Sequence, residues 1–196
     1  MAEGAAALIG WERALMAAEK VKDRLRRAAR ALDAASVPYA VAGGNAVAEW
    51  VGRIDEDAVR NTRDVDILIR RPDFPAARAC LEAEGFIYHE LLDIDVFIDG
   101  PQGKPSGGIH LLYAGEKVRR EDDYHLPEIE ESERAIEFQV VTLEALLLMK
   151  LTSYRLKDRV HILDMIGVGL IDATWPARFP PPLGDRLQRL LEDRNG

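Results

Sequence analysis

The stretch YAVAGGNAVAEW, Tyr39–Trp50, with RNTRDVDILIR, Arg60–Arg70, a few residues further on, decides how this chain is read. Tyr39–Ala42 is a short apolar run behind the helix-breaking Pro38, so it reads as a strand that ends on the pair Gly43 and Gly44. Glycine at such a point marks a backbone turned to positive φ or brought close to another group. A helix restarts at about Asn45, a residue suited to cap it. DVDILIR, beginning at Asp64, alternates and is β-branched enough to be the next strand, and the polar segment between the two reads as a loop.

Asp64 and Asp66 stand two apart on that second strand, so both side chains project from one face. Carboxylates so close repel unless a cation lies between them. Hard divalent ions such as Mg²⁺ take one or two carboxylates together with substrate phosphates. The glycine pair supplies a complementary feature, free backbone N–H groups at a helix start, where an anionic phosphate is stabilised.

Outward from this core, Trp11, Leu15, Ala18, Lys22, Leu25, Ala29 and Leu32 recur at helical spacing and predict one long amphipathic N-terminal helix packed along its stripe. Pro75–Glu84 reads as a short helix closed by Gly85. FIYHELLDIDVFIDG reads as a strand or strand pair, and IHLLYAG as another strand. From Thr142 the chain is helical by period, with a bend near Arg155–Lys157 and an end at Gly167 and Gly169. FPPPLG is expected to stop a helix, with DRLQRLLEDR forming the last one. This order predicts an α/β (α+β) fold, a mixed sheet flanked by helices with a helical C-terminal extension. The expected division is an N-terminal helix over residues 1–36, a core over 37–140 and the extension over 141–196.

Composition narrows the class. With 47% hydrophobic and 31% charged residues the 196-residue chain has the profile of a globular protein with one sizeable core. No apolar run approaches the ~20 residues of a membrane span, no basic leader precedes the first apolar residues, and the single Cys80 cannot form an internal disulfide, so a cytoplasmic setting is expected. A net charge of −8 argues against nucleic-acid binding over the whole surface and leaves room only for a focused basic patch.

GGNAVAEW followed by RNTRDVDILI resembles the nucleotidyltransferase fold of the DNA polymerase β superfamily, in which a strand, a glycine pair and a helix precede Asp-x-Asp on the next strand. MKLTSYRLKDRVHILDMI is similar to the K-L-x-x-x-R-x-x-D helix of the abortive-infection toxin-like members. The resemblance implies metal-dependent transfer of a nucleoside monophosphate from a nucleoside triphosphate to a hydroxyl acceptor. RNA is a candidate acceptor and an antitoxin-like protein a candidate partner. It assigns Gly43, Gly44 and Asn45 to the triphosphate, Asp64 and Asp66 to Mg²⁺ or Mn²⁺, and Lys150 and Arg155 to phosphates, with Asp158 orienting them.

The chain departs from that pattern in two places. Asn45 stands where the family carries a small hydroxyl residue, and His110 stands where a third carboxylate is expected, with Asp95, Asp99 and Glu116 as replacements and His110 itself as a possible metal ligand or catalytic group. Two readings therefore stay open, an active transferase and a module that keeps the fold to bind nucleotide or protein. Arg24, Arg26, Arg27 and Arg30 are expected to be a solvated helix face. HELLD at His89 lacks the second histidine of a zinc-protease motif, and GPQGKPSGG lacks the spacing of a phosphate loop. Trp50, Tyr154 and Trp175 are expected in the core or at an interface rather than as base-stacking platforms.

Overall fold

The computed structural model describes residues 2–91 and 94–194. A mixed sheet of seven strands carries the fold among those residues, flanked by helices as the sequence predicts. Helix α1 spans Ala2–Ala34, strand β1 Tyr39–Ala42, helix α2 Gly43–Gly52 and strand β2 Val65–Ile69. Helix α3 (Phe74–Ala83) leads to a hairpin of β3 (Phe86–Leu91) and β4 (Ile94–Asp99), followed by β5 (Ile109–Tyr113). Short strands β6 (Ser132–Arg134) and β7 (Gln139–Val141) precede helices α4 (Leu143–Ser153), α5 (Leu156–Gly167) and α6 (Pro181–Arg194).

The strand order is β3-β4-β5-β2-β1-β7-β6. Strands β1 and β2 run antiparallel with Ala42 opposite Asp66, and β2 runs parallel to β5 with Asp66 opposite His110. Parallel β1 and β7 meet at Val41 and Val140. β1 and β2 lie near the middle of the sheet, and Ala40, Val41, Ile67 and Leu68 are fully buried in it.

Register also sorts side chains between the two faces. Residues directly opposite share a face, so Asp66, His110 and Val96 project one way, while Asp95, Phe97 and Asp99 project the other. Arg27 of α1 donates to Asp99 at 3.0 Å, which lays α1 across the second face. Helices α2, α4 and α5 contact one another, and Gly43 of α2 lies against Asp66 on the first face.

Four expectations need correction. The stripe of α1 is buried only in its second half, where Leu25, Ala29 and Leu32 enter the core; Trp11 and Leu15 are 71% and 56% exposed, so no described element covers them. The arginines of α1 are not a free face. Arg24 and Arg27 both pair with Asp99, Arg26 pairs with Glu137, and the Arg27 guanidinium stacks over Phe86. Helix α2 begins at Gly43 with Ala42 in the capping position and no side-chain cap, so Asn45 is already inside the first turn. The prolines of FPPPLG start a helix instead of stopping one. Pro181 and Pro182 open α6, where the missing N–H has no intrahelical partner to lose, and Leu183, Leu187, Leu190 and Leu191 form its buried stripe. Strands β6 and β7 have no counterpart in the sequence reading, because three residues each are too few to show an alternating pattern.

The bend between α4 and α5 matches the sequence reading. Thr142 caps α4, its hydroxyl accepting from the Ala145 N–H, and Tyr154 ends it in the left-handed region at φ +43°. Trp50 and Tyr154 are partly buried against the core and tie to neighbouring elements, Trp50 Nε1–H donating to Val141 O at the end of β7 and Tyr154 O–H to Arg186 O in α6.

Candidate functional site

Strand β1 ends and α2 begins within one residue, and Gly43 makes that turn possible with φ +62°. A side chain there is excluded twice, by the backbone conformation and because a Cβ would overlap the Asp66 carboxylate. At Gly44 a Cβ would stand 2.8 Å from Thr62 Oγ1. Both meanings of the glycine pair therefore hold together: a positive φ, and close approach to the residues around the aspartates.

Asp64 and Asp66 lie beside this turn, half-buried on one face of the sheet as their spacing predicts. The Thr62 hydroxyl donates to Asp64 Oδ1 at 2.7 Å, and Asn45 Nδ2 donates to the Asp64 carbonyl at 2.7 Å. Asn45 thus tethers the start of β2 to α2 through its amide. Burial opposes ionisation of Asp64, but the Thr62 hydroxyl, Lys157 and His110 outweigh it and hold the carboxyl below its ordinary value. His110 reaches in from β5, its Nδ1 3.4 Å from Asp66 Oδ1 and 4.0 Å from Asp64 Oδ2. Its pKa is raised, chiefly by Asp66 and against the opposing effect of burial.

One donor atom from each of Asp64, Asp66 and His110 lies within 4.8 Å of the others, and this is the only such trio of metal-ligating residues among the described ones. The donor set fits a divalent cation, with two hard carboxylate oxygens and one imidazole nitrogen converging from adjacent strands. The three replacement acids are not at this position. Asp95 and Asp99 fall on the opposite face of the sheet; Asp95 accepts from the Tyr88 and Tyr113 hydroxyls, and Asp99 pairs with Arg27. Glu116 forms a two-point ion pair with Arg71 at 2.6 Å.

The helix motif residues gather at the α4–α5 junction. Lys150 is 5% exposed and donates to Asp158 Oδ1 at 3.2 Å, while Asp158, fully buried, also accepts from Ser153 and from Arg155 Nε. Burial raises the Asp158 pKa, but the Arg155, Lys150 and Ser153 donors prevail and hold it down at about 2. Asp158 also accepts from the Arg155 N–H at the first turn of α5. Lys150 therefore faces Asp158 from within the core, and Arg155 keeps an exposed guanidinium tied to the same carboxylate. Both Lys150 and Arg155 lie close enough to Asp66 to feel its charge.

Three contributors escaped the sequence reading. Lys157 acts on Asp64 electrostatically from the first turn of α5, Thr62 orients the Asp64 carboxylate, and Pro105, in the segment that lacks phosphate-loop spacing, offers its carbonyl to His110 Nε2 at 2.9 Å. Thr62 had a visible signal, a hydroxyl residue two before an aspartate. The other two had none, because only chain crossing brings them near.

No family model and no curated protein sequence matches the chain. Solved structures do. The solution structure of the antibiotic-resistance factor ANT(2'')-Ia is similar at a TM-score of 0.50 and 17% identity, covering 92% of this chain and 86% of that one. The crystal structure of ANT(2'')-Ia in complex with adenylyl-2''-tobramycin gives 0.47 at 16% identity over 91% and 99% of the two chains. A candidate nucleotidyltransferase from H. pylori gives 0.48 at 12% identity over 90% and 95%. The chain has the fold of the nucleotidyltransferases, in agreement with the resemblance carried by its glycine pair and Asp-x-Asp. No helix among the described residues is long and apolar enough to cross a membrane.

Proposed function

We propose that this protein is a metal-dependent nucleotidyltransferase that moves a nucleoside monophosphate from a nucleoside triphosphate to a hydroxyl acceptor. The observation that carries the reading is the contact between the glycine turn and the aspartate pair, which puts the start of α2 and a cation-binding carboxylate side by side.

In this reading the first-turn N–H groups of α2, which have no partner within the helix, bind triphosphate oxygens, and the glycines let that helix start lie directly against Asp66 and Thr62. Asp64 and Asp66 hold the divalent ion, which when bound neutralises their charge and stabilises the negative charge of the phosphates. Thr62 and Asn45 fix the strand start, so Asp64 presents its carboxylate in one orientation. Arg155 and Lys157 at the head of α5 raise the local positive potential and attract the anionic nucleotide. Lys150 and Asp158 hold that helix start in place from inside the core. The similarity of the α4–α5 segment to the toxin-like members makes RNA the first acceptor to test and an antitoxin-like chain the first partner.

One observation favours a second reading, a nucleotide-binding or protein-interaction module without transfer: no third carboxylate joins the cluster among the described residues. The deciding experiment incubates the protein with each α-labelled nucleoside triphosphate, Mg²⁺ or Mn²⁺, and acceptor pools of mixed RNA and small polyhydroxylated compounds. Label should move to an acceptor with the wild type and fall to background with Asp66→Asn. Saturable nucleotide binding without transfer in any pool would replace the transferase by the module.

A further inference from the structure

His110 is held by both ring nitrogens. Nε2 lies 2.9 Å from the Pro105 carbonyl oxygen, and a carbonyl can only accept, so Nε2 carries a proton. The same carbonyl accepts from the Gly108 N–H at 2.9 Å, and Gly108 O accepts from the Val65 N–H at 3.0 Å, which stitches the loop to the start of β2. Gly108 is pressed so tightly on the neighbouring strand that a Cβ would come within 2.8 Å of Phe97 O. The carbonyl that orients the ring thus belongs to a turn that is hydrogen-bonded to the start of β2 and packed against β4.

With the proton on Nε2, the neutral ring turns the lone pair of Nδ1 toward Asp66 and Asp64. In that neutral ring three electron-pair donors face one another, and a metal ion would take the place of the proton through which Nδ1 otherwise meets Asp66. A backbone carbonyl accepting from the far nitrogen is also the usual support of a metal-ligating histidine, because it fixes tautomer and ring orientation. Mg²⁺ is a hard ion that favours oxygen and sheds water reluctantly, whereas imidazole nitrogen suits the transition-series ions.

We infer that Asp64, Asp66 and His110 form a two-carboxylate, one-histidine centre in which Nδ1 is a direct ligand and selects a transition-series divalent ion over Mg²⁺. The inference deepens the proposed function by naming the ion class of that site, and it makes His110 the working substitute for the absent acid.

The test uses the full chain and the metal alone, with no nucleotide. Titration with Mn²⁺ is followed by loss of the free-ion paramagnetic resonance signal, Mg²⁺ is added as competitor, and pulsed measurement on the bound ion reads coupling to ¹⁴N. Expected results are ¹⁴N coupling in the wild type, its loss in His110→Asp, and a Mn²⁺-over-Mg²⁺ preference that falls in that variant by on the order of 10–100-fold. Bound Mn²⁺ without nitrogen coupling, no Mn²⁺ binding at all, or an unchanged preference in a His110→Asp variant that keeps its circular dichroism would each overturn it. The coupling is read on the unaltered chain, so the wild type alone is decisive even where the variant fails to fold. Failure of labelled transfer with the nitrogen coupling intact would remove the transferase and leave this centre standing, and the converse result would do the opposite.

Discussion

Two charged clusters lie close together on the same side of the sheet, and they are built on opposite principles. At the α4–α5 junction one buried carboxylate, Asp158, is surrounded by donors: Lys150, Arg155 and Ser153 satisfy both of its oxygens. At the β2–β5 pairing two half-buried carboxylates face a single imidazole, with one hydroxyl as their side-chain donor. The first cluster contains its own counter-charges and has no need of a ligand. The second sets two carboxylates against one imidazole, and a bound cation would balance the negative charge that remains. A cluster that is complete by itself supports structure, and one that is incomplete defines a place to bind.

That contrast breaks if Asp158 proves dispensable. Asp158→Asn should cost about 3–5 kcal/mol, because it leaves the Lys150 ammonium buried without its partner. The double variant Lys150→Met with Asp158→Leu should recover a good part of that loss in a denaturant titration. A single variant as stable as wild type would mean that the junction is solvated and not a structural pair.

A smaller effect comes from His161, which faces Lys150, Lys157, Asp158 and Asp164 and whose buried Nδ1 has no hydrogen-bond partner among the described residues. Burial, with Lys150 adding, pushes its pKa down to about 4. A depressed base takes up its proton more readily when unfolded, so its contribution to stability is full above pH 6.5 and is lost as pH falls toward 4. Discounted for partial exposure, the loss is about 1–2 kcal/mol. Asp158, held at about 2, has the same sign one step lower, its contribution being present above its ordinary value of 3.8 and lost toward pH 2. Melting temperatures from about pH 7 to about pH 4 should fall in wild type and be flatter in His161→Phe; parallel curves would exclude His161 as the cause.

The smallest change is expected at the incomplete cluster. Asp66→Asn should alter metal-free stability by less than about 1 kcal/mol, since it relieves repulsion from Asp64 while weakening the contact with His110. It should nevertheless abolish divalent-ion binding by calorimetric titration. A large loss of melting temperature without metal would turn Asp64 and Asp66 into structural residues like Asp158 and erase the comparison.

Much of the site was written in local order. Gly43, Gly44, Asp64 and Asp66 are recognisable because the turn demands glycine, and because strand periodicity puts residues two apart on one face; both are properties of a few consecutive residues. The Thr142 cap and the break after Ser153 are local in the same sense. What escaped depends on distant pairing. Whether Asp95 or Asp99 can serve Asp66 turns on the register of β4 against β5, and a shift of one residue would have moved both to the other face. Lys150, which the resemblance assigns to phosphates, is buried against Asp158 once α5 folds back on α4. Pro105 meets His110 only through the turn at Pro105–Gly107 that brings the chain back into β5. The sequence by itself determined the strand, glycine turn, helix and carboxylate pair, since steric and periodic constraints act between near neighbours. Tertiary structure alone decided which charges are neutralised and which wait for a cation, because burial and the approach of opposite charges are set by segments far apart in the chain.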